Sequence, residues 1–578
     1  MVKYNTLYFR PESRKKGCDI NMKFSEMEYT RLDITRVLSE YERITDKVSD
    51  AECLEDVLSA IAEHEQLLSE AETMMTLAEI RASIDTADKF YEAEKAFYDE
   101  NEPVFEEKLQ EFMLALYQCD FVGELKEKYG ELLFVNMEMM LKTFSPAVIG
   151  DLQRENALVT EYQKLVASAQ IPFRGETLNI SELGKYKQDP DRGVRKAAYE
   201  AEGGFYIAHA GELDRIFDEL VKCRTLIAKK LGFDSFTQLA YYRRTRNCYN
   251  AEMVRNFREM VVKDIVPTVS VLKERQRERI GVDRLYFYDD VFRFKEGNPK
   301  PQGTPEDILA AGRRMYEEMS PQTAEFIDFM YSNELLDVVA KKGKAVGGYC
   351  TTLMKYKAPF IFSNFNGTSG DVDVLTHEAG HAFAAYTAKD FELIEQMNPT
   401  MESCECHSMS MEFFAWKWLK LFYGEDYRRA QLAHLADCVT FIPYGSMVDH
   451  FQHIVYDEPE LTPAQRNERW AQLEKIYRPH VDFDGLPFYG EGRGWQRQIH
   501  IYEYPFYYID YCLAQTVALK FWALSQKDYA DAWRRYMAFV REGGKKTFTG
   551  LCETAGIKDP FAPGSLVQAA EAAGEFLG

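Results

Sequence analysis

The stretch His377-Glu378-Ala379-Gly380-His381 places two histidines four residues apart, with a glutamate directly after the first. In a helix, residues four apart lie one above the other on the same face. Two imidazoles in that arrangement can both reach a single Zn²⁺ at about 2.0–2.1 Å. The glutamate is offset by about 100° and can contact a water beside the metal without occupying a coordination position. The stretch therefore predicts a helix that carries a catalytic zinc site.

The residues around this stretch predict the helix itself. Thr368 and Ser369 are good N-cap residues, and two aspartates follow in the first turn, where negative charge is favoured. One side of the helix is apolar and should face the core; it carries Leu375, Ala379, Ala382, Phe383 and Tyr386. The two histidines lie on roughly the opposite side. We expect the small residues near them to leave room for a metal and a substrate: Gly380, Ala384 and Ala385.

A short strand is predicted directly before the helix. The run Ala358 to Phe365 is rich in aromatic residues and ends at Asn366-Gly367, a turn signal.

A catalytic zinc needs a third protein ligand and one open position. Pro399-Thr400 begins another predicted helix, in which Glu405 lies on an otherwise apolar stripe. A carboxylate there is costly unless something pairs it, so we predict Glu405 as the third ligand. Glu412, two turns along the same face, is predicted to orient a ligand from behind. The rival ligands point about 100° or more away from this face; they are Cys404, Cys406 and His407.

Two other interpretations of the motif stay open. Glu378-Ala379-Gly380-His381 also fits the Glu-x-x-His half-motif of di-iron helix bundles, which need a second copy that the sequence lacks. The motif could also belong to a solvated helix with two incidental histidines. Elsewhere, Asp449-His450-Phe451-Gln452-His453 has no partner motif and is interpreted as structural, and His434 carries no signal.

Composition limits the partners and the compartment. The 578 residues carry a formal net charge of -23, which disfavours nucleic acid and anionic lipid as partners. The sequence contains no apolar run of about 18 residues, so no membrane span is predicted. Met1 to Arg10 lacks the apolar segment of a signal peptide. Eleven irregularly spaced cysteines suit reduced thiols. We therefore predict a cytoplasmic protein without nucleic-acid or membrane partners.

Helical periodicity and a scarcity of glycine and proline in the first third predict a mostly α protein. Cys53 to Ala78 and Tyr91 to Tyr117 are expected to form long, paired helices. Asp189 to Gly193 is expected to be a turn before another long helix, and Thr304 to be the N-cap of a helix that begins at Pro305. We predict an N-terminal helical lobe over residues 1–190 and a catalytic region over residues 191–578.

The motif region resembles a known family. The run from Phe365 to His381, followed by Glu405-Cys406-His407-Ser408-Met409 and Glu412, is similar to the thimet oligopeptidase and oligoendopeptidase F family of zinc metallopeptidases. The bacterial oligoendopeptidase F-type branch is the closer match. The resemblance implies a helical ellipsoidal shell with a deep substrate channel, a zincin-like core with a short β-sheet beside the active-site helix, and one catalytic Zn²⁺.

The resemblance also implies further site residues. The strand near the motif would offer its edge to the substrate backbone, which makes Ile361, Ser363 and Phe365 candidate substrate-binding residues. A C-terminal group of one histidine and several tyrosines would act on the substrate and on the developing oxyanion. In this chain the group comprises His500, Tyr508 and Tyr511 as catalytic candidates and Tyr504 as a substrate-binding candidate. The choice of the main tyrosine donor stays open.

The functional hypothesis is a zinc-dependent endopeptidase that cleaves internal bonds of short, unstructured peptides. Glu378 would deprotonate the zinc-bound water and later return the proton to the leaving amine. One alternative is a catalytically inactive peptide-binding scaffold of the same shape. Another is a helical interaction protein that binds no metal.

Overall fold

Helices form most of the chain, as predicted. The computed structural model describes residues 22–345, 347–366 and 368–577. Met1 to Arg10, which were predicted not to form a signal peptide, lie outside the described residues. The two long helices predicted in the first third are confirmed as α2 and α3. The helices of this region are α1 (Ile34–Ser49), α2 (Leu54–Ile84), α3 (Lys89–Gln118), α4 (Val122–Tyr129), α5 (Glu131–Leu141) and α6 (Ile149–Ala167).

The middle of the chain begins with a two-stranded antiparallel hairpin and continues with helices. The predicted turn before residue 192 is confirmed, with Asp191 capping the helix that follows, and so is the helix start at Pro305 behind its N-cap Thr304. The elements are β1 (Ile171–Phe173), β2 (Glu176–Leu178), α7 (Ile180–Leu183), α8 (Arg192–Ala208), α9 (Ala210–Lys230), α10 (Phe236–Arg243), α11 (Ala251–Met260), α12 (Val266–Ile280), α13 (Pro305–Met319) and α14 (Pro321–Ser332).

The last part of the chain holds a small sheet and the helices of the motif. The predicted strand is confirmed with both of its ends. The elements are β3 (Leu336–Val339), β4 (Tyr349–Leu353), β5 (Ala358–Phe365), α15 (Ser369–Ala388), α16 (Met401–Phe414), α17 (Leu419–Tyr423), α18 (Tyr427–Asp457), α19 (Pro463–Tyr477), α20 (Ile499–Glu503), α21 (Tyr508–Ser525), α22 (Tyr529–Val540), α23 (Phe548–Thr554) and α24 (Val567–Phe576).

Strand order corrects the expected role of the predicted strand. The three strands run in the order β3-β5-β4, so β5 is the central strand. Ile361 pairs with Leu336 on one side and with Cys350 on the other. Ser363 and Phe365 are buried. The expectation that Ile361, Ser363 and Phe365 offer a free edge to the substrate is therefore wrong, because β5 is paired on both sides and the edge strands are β3 and β4.

A close approach of α15 to α16 corrects the role expected for Gly380. A Cβ atom at this position would lie 2.6 Å from the Ser408 Cα atom and 2.9 Å from the carbonyl oxygen of His407. The glycine therefore allows the backbones of two helices to meet, and it does not widen the substrate site. Ala384 and Ala385, in contrast, do line the cavity described below. The predicted apolar side of α15 is confirmed for Leu375, Ala379, Ala382 and Phe383, which are buried, whereas Tyr386 is only partly buried.

Three apolar cores organise the described residues. The smallest lies between the hairpin, α7 and α8, and the next is built from α1 to α5 together with Leu393. The largest runs through much of the rest of the chain, and it includes Leu77 and Ile80, so α2 takes part in two cores. The division into residues 1–190 and 191–578 stays a prediction. No single described helix is long and apolar enough to span a membrane. The bent pair Glu131–Leu141 and Pro146–Ala167, taken together, has the length and composition of a span.

Candidate active site

Helices α15 and α16 bring the three predicted ligands together. His377, His381 and Glu405 each offer one ligand atom, and these atoms lie within 4.8 Å of one another. Oε2 of Glu405 lies 3.4 Å from Nε2 of His377 and 3.6 Å from Nε2 of His381. Two ligands about 2.1 Å from a tetrahedral zinc ion are separated by about 3.4 Å. The three side chains therefore fit zinc in spacing and in chemistry.

The electrostatics keep two of these ligands in the protonation states that a metal requires. Burial alone would raise the pKa of Glu405, but the two histidines and Tyr507 lower it to about 2. Burial lowers the pKa of His381 to about 4. Near neutral pH the glutamate is thus ionised and His381 is neutral, as metal ligands must be.

Glu412 lies directly behind the first histidine. Nδ1 of His377 is 2.7 Å from Oε1 of Glu412, and donation of the Nδ1 proton leaves Nε2 facing Glu405. Burial would raise the pKa of Glu412, but its hydrogen bonds with His377 and His434 lower it, so the carboxylate remains an acceptor. His434 comes from α18 and lacked any signal in the sequence, because it meets Glu412 only through the tertiary packing.

Glu378 projects into the same cavity as the three ligands. Burial raises its pKa to about 7; His377 lowers it, and Glu405 and Glu412 raise it further. A carboxylate with a pKa near the working pH is well matched to taking up and releasing a proton.

The cavity in front of these residues has a volume of about 820 Å³. The helices α2 and α3 contribute to its wall from the N-terminal part of the chain, opposite the residues of α15 and α16. Gly348 and the first four residues of β4 also line it, so the edge of the sheet that β4 forms faces the cavity. A peptide could therefore extend the sheet along β4.

The predicted histidine and tyrosine group is brought together, with unequal access to the cavity. Rings of Tyr507, Tyr508 and Tyr511 all contact the ring of His500. Tyr507 and Tyr511 line the cavity. The ring of Tyr508 packs instead against two aromatic residues of α18, Phe441 and Tyr444. Tyr504 is 49% exposed, outside the cavity wall that the described residues form.

Tyr507 is a site residue that the sequence prediction missed. Its hydroxyl donates a hydrogen bond to Oε1 of Glu405 at 2.7 Å, on the oxygen that does not face the histidines. The only sequence signal is its spacing of four residues from Tyr511, which sets both on one side of the start of α21.

His500 is held as a hydrogen-bond donor. Its Nδ1 accepts from the amide nitrogen of Gln498 at 3.0 Å, while the amide oxygen accepts from the Tyr444 hydroxyl at 2.8 Å. Burial and the nearby Arg244 lower the pKa of His500 to about 4. The imidazole is therefore neutral near pH 7 and carries its proton on Nε2.

The rival ligands make other contacts. The thiol of Cys404 donates to the carbonyl of Pro399 at 3.4 Å and that of Cys406 to the carbonyl of Ala514 at 3.9 Å. Neither cysteine, nor His407, joins the three-ligand group among the described residues.

A helix with two histidines and a glutamate, a carboxylate on the next helix that could complete a ligand set, and a cavity beside them form a candidate active site. Comparison with known proteins names the class: the chain belongs to peptidase family M3. The profile of that family matches residues 185–569, and the profile of the peptidase M3 N-terminal domain matches residues 24–144. The chain is thus a peptidase, and its substrates are peptides.

Individual relatives place the chain in the oligoendopeptidase F branch. It is 22% identical to an oligoendopeptidase F homolog of Lactococcus lactis subsp. lactis strain IL1403, over 89% of this chain and 91% of the relative. The solved structure of Pz peptidase A with an inhibitor is similar, with 48% identity, a TM-score of 0.91 and coverage of 96% of this chain and 99% of that one. The oligoendopeptidase-F of Enterococcus faecium, at 16% identity and a TM-score of 0.63, shares the fold.

Proposed function

We propose that this peptidase is a zinc-dependent endopeptidase that hydrolyses internal bonds of short, unstructured peptides. The observation that carries the proposal is the convergence of three ligand atoms on one point of the cavity wall, beside Glu378. A zinc ion held by His377, His381 and Glu405 would polarise the scissile carbonyl and make a water more acidic.

The residues of the chain have separate tasks in this proposal. Glu378 accepts a proton from the attacking water and returns it to the leaving amine, which suits a carboxyl whose pKa is raised to about 7. Tyr507 and Glu412 hold Glu405 and His377 in place through hydrogen bonds of 2.7 Å each. These contacts keep the ligand set ordered while substrates exchange.

The oxyanion of the tetrahedral intermediate requires hydrogen-bond donors. Tyr511 lines the cavity, and His500, which is not itself a lining residue, contacts the Tyr511 ring and carries its proton on Nε2. The hydroxyl of Tyr508 has no hydrogen-bond partner among the described residues and stays in the proposal as a further donor. A well-placed donor of this kind contributes about 2.7–4 kcal/mol to transition-state stabilisation.

The shape of the site supports the substrate class. A cleft of about 820 Å³, lined by the N-terminal helices and by α15, admits an extended chain of several residues but is too small for a folded domain. The free edge of β4 offers backbone hydrogen bonds, which do not depend on the peptide sequence. Cytoplasmic location is part of the same proposal, and it agrees with the ten free cysteines of the described chain.

Glu378→Gln tests the proposed role of the base. The variant should retain one zinc ion per chain and bind peptides, but lose at least about a thousandfold in kcat on an internally quenched fluorescent peptide. Product analysis by mass spectrometry should show cleavage at internal bonds. Wild-type turnover by a zinc-loaded Glu378→Gln protein would refute the proposed role. Absence of cleavage by the wild-type protein with zinc bound would favour the inactive peptide-binding scaffold.

A further inference from the structure

A chain of hydrogen bonds continues behind Glu412, away from the cavity. Nε2 of His434 lies 2.8 Å from Oε2 of Glu412, and Nδ1 of His434 lies 3.1 Å from Nε1 of Trp416. The other oxygen of Glu412 lies 2.7 Å from Nδ1 of His377. Three helical segments, α15, the end of α16 and α18, thus meet in one line of polar side chains, of which Glu412 and His434 are only 13% and 14% exposed.

The direction of each hydrogen bond follows from the indole. The N–H group of a tryptophan only donates, so Nδ1 of His434 must accept. A neutral imidazole then carries its proton on Nε2 and donates it to Glu412. An imidazolium would set a second N–H donor against the indole N–H. Burial lowers the pKa of His434, and its neighbours Cys438 and Glu412 raise it well above the usual value, but the indole N–H directed at Nδ1 opposes the imidazolium. In either protonation state Nε2 carries the proton that is donated to Glu412.

This arrangement fixes the orientation of Glu412. Its carboxylate accepts one hydrogen bond on each oxygen, from His434 and from His377. The His434 ring is itself confined, since it stands edge-on to Phe413 and Trp416 at centroid distances of 4.9 and 5.8 Å. Loss of the His434 donor would leave a buried carboxylate oxygen without a partner, and the carboxylate could then turn or become protonated.

On these contacts we propose that His434, oriented by Trp416, is a positioning residue for the metal site: it holds Glu412 so that His377 presents Nε2 to the ion. The inference rests on the proposed zinc site. It adds two further side chains, His434 and Trp416, to the group that aligns His377. Both lie outside the residues that line the cavity. Groups behind a metal ligand commonly affect metal affinity by about 10–100-fold.

Two members of this chain, Glu412 and His434, could instead be taken for part of a second metal site, because they and Cys438 offer ligand atoms close together. The distances argue against it. Nε2 of His434 and Oε2 of Glu412 are 2.8 Å apart, a hydrogen-bond distance, whereas two ligands of one tetrahedral zinc are about 3.4 Å apart. Sγ of Cys438 lies 3.7 Å from the same nitrogen, in a weak contact.

The test is the zinc dissociation constant of the intact protein, measured by competition with a chromogenic chelator. His434→Phe should weaken zinc binding by about 10–100-fold. His434→Gln should restore most of the affinity, because its amide accepts from Trp416 and donates to Glu412 without any charge. The matched control, Cys438→Ala on the same helix, should bind one zinc with wild-type affinity. Thermal unfolding of the metal-free proteins shows whether each variant is folded.

Folded His434→Phe with wild-type zinc affinity would overturn the positioning role, and so would His434→Gln that binds as weakly as His434→Phe. Two zinc ions in the wild type and one in Cys438→Ala would replace the hydrogen-bond chain with a second metal site. If His434→Phe does not fold, Trp416→Phe removes the indole donor instead and should also weaken zinc binding. A wild-type protein that binds no zinc would refute the proposed function before any variant is compared, and the positioning role with it.

Discussion

Gly380→Ala places one methyl group at the contact between the two helices that carry the metal ligands. The new Cβ atom would lie 2.6 Å from the Ser408 Cα atom, about 0.8 Å short of the 3.4 Å at which ordinary contact begins. The two nearest obstacles on α16 are backbone atoms and the third is the Cβ atom of Met411 at 3.0 Å, so none of them can rotate away. The helices must therefore separate by several tenths of an ångström. Glu405 lies three residues before Ser408 and moves with it.

Two opposing terms set the change in stability. Overpacking a tight contact costs about 1–3 kcal/mol, while alanine gains about 1 kcal/mol over glycine inside a helix. The net loss should be about 0–2 kcal/mol. The ligand geometry is less forgiving, because metal–ligand distances tolerate only about 0.2 Å. We expect Gly380→Ala to weaken zinc binding by about tenfold or more, with a smaller loss of stability in the metal-free protein.

Gly204→Ala is the matched control. Gly204 lies inside α8, and a Cβ atom there would meet nothing within 4 Å. This variant should keep wild-type zinc affinity and gain about 0.5–1 kcal/mol in stability. The assay is chelator competition for zinc, together with thermal unfolding with and without the metal. Wild-type zinc affinity in Gly380→Ala would refute the argument that this close contact sets the ligand geometry.

Further predictions concern hydrogen bonds and pH. Tyr507→Phe removes the donor to Glu405 and should weaken zinc binding on the order of tenfold in the same competition assay. Tyr511→Phe should lower kcat by on the order of 10²–10³-fold, and Tyr508→Phe by much less; the reverse order in steady-state assays would assign the oxyanion to Tyr508. Burial lowers the pKa of His453 to about 3, below its value of about 6.5 in the unfolded chain, so the unfolded state binds more protons below pH 6.5. Stability should therefore fall by about 2 kcal/mol from this group between pH 6.5 and 5; His453→Gln should remove that part of the loss in denaturant titrations, and an unchanged pH dependence would contradict the assignment.

The sequence predicted those features that depend on local pattern. The strand Ala358–Phe365 has the predicted ends; Lys357, directly before it, has a left-handed conformation. The helix of the motif begins at Ser369, directly after Thr368, which was one of the two expected N-cap residues. Helical periodicity also set both histidines on one face, and spacing on a second apolar stripe singled out Glu405.

Features that depend on tertiary packing were missed. The order of strands depends on Leu336–Val339, a short segment without a strong pattern, and for that reason the edge was assigned to the wrong strand. The role of Gly380 depends on how closely α16 approaches, which helix periodicity does not contain. His434 and Tyr507 reach the site from helices distant in sequence. Their partners on α16 are the positioning residue Glu412, 22 positions from His434, and the predicted ligand Glu405, 102 positions from Tyr507.

The most direct test of the proposed metal site is anomalous diffraction at the zinc absorption edge, from crystals of the zinc-loaded protein. We predict one strong peak per chain, within about 2.0–2.2 Å of Nε2 of His377, Nε2 of His381 and a carboxylate oxygen of Glu405. A peak at another group of side chains, or none between these three, would contradict the proposal that this peptidase works through a zinc ion on α15 and α16.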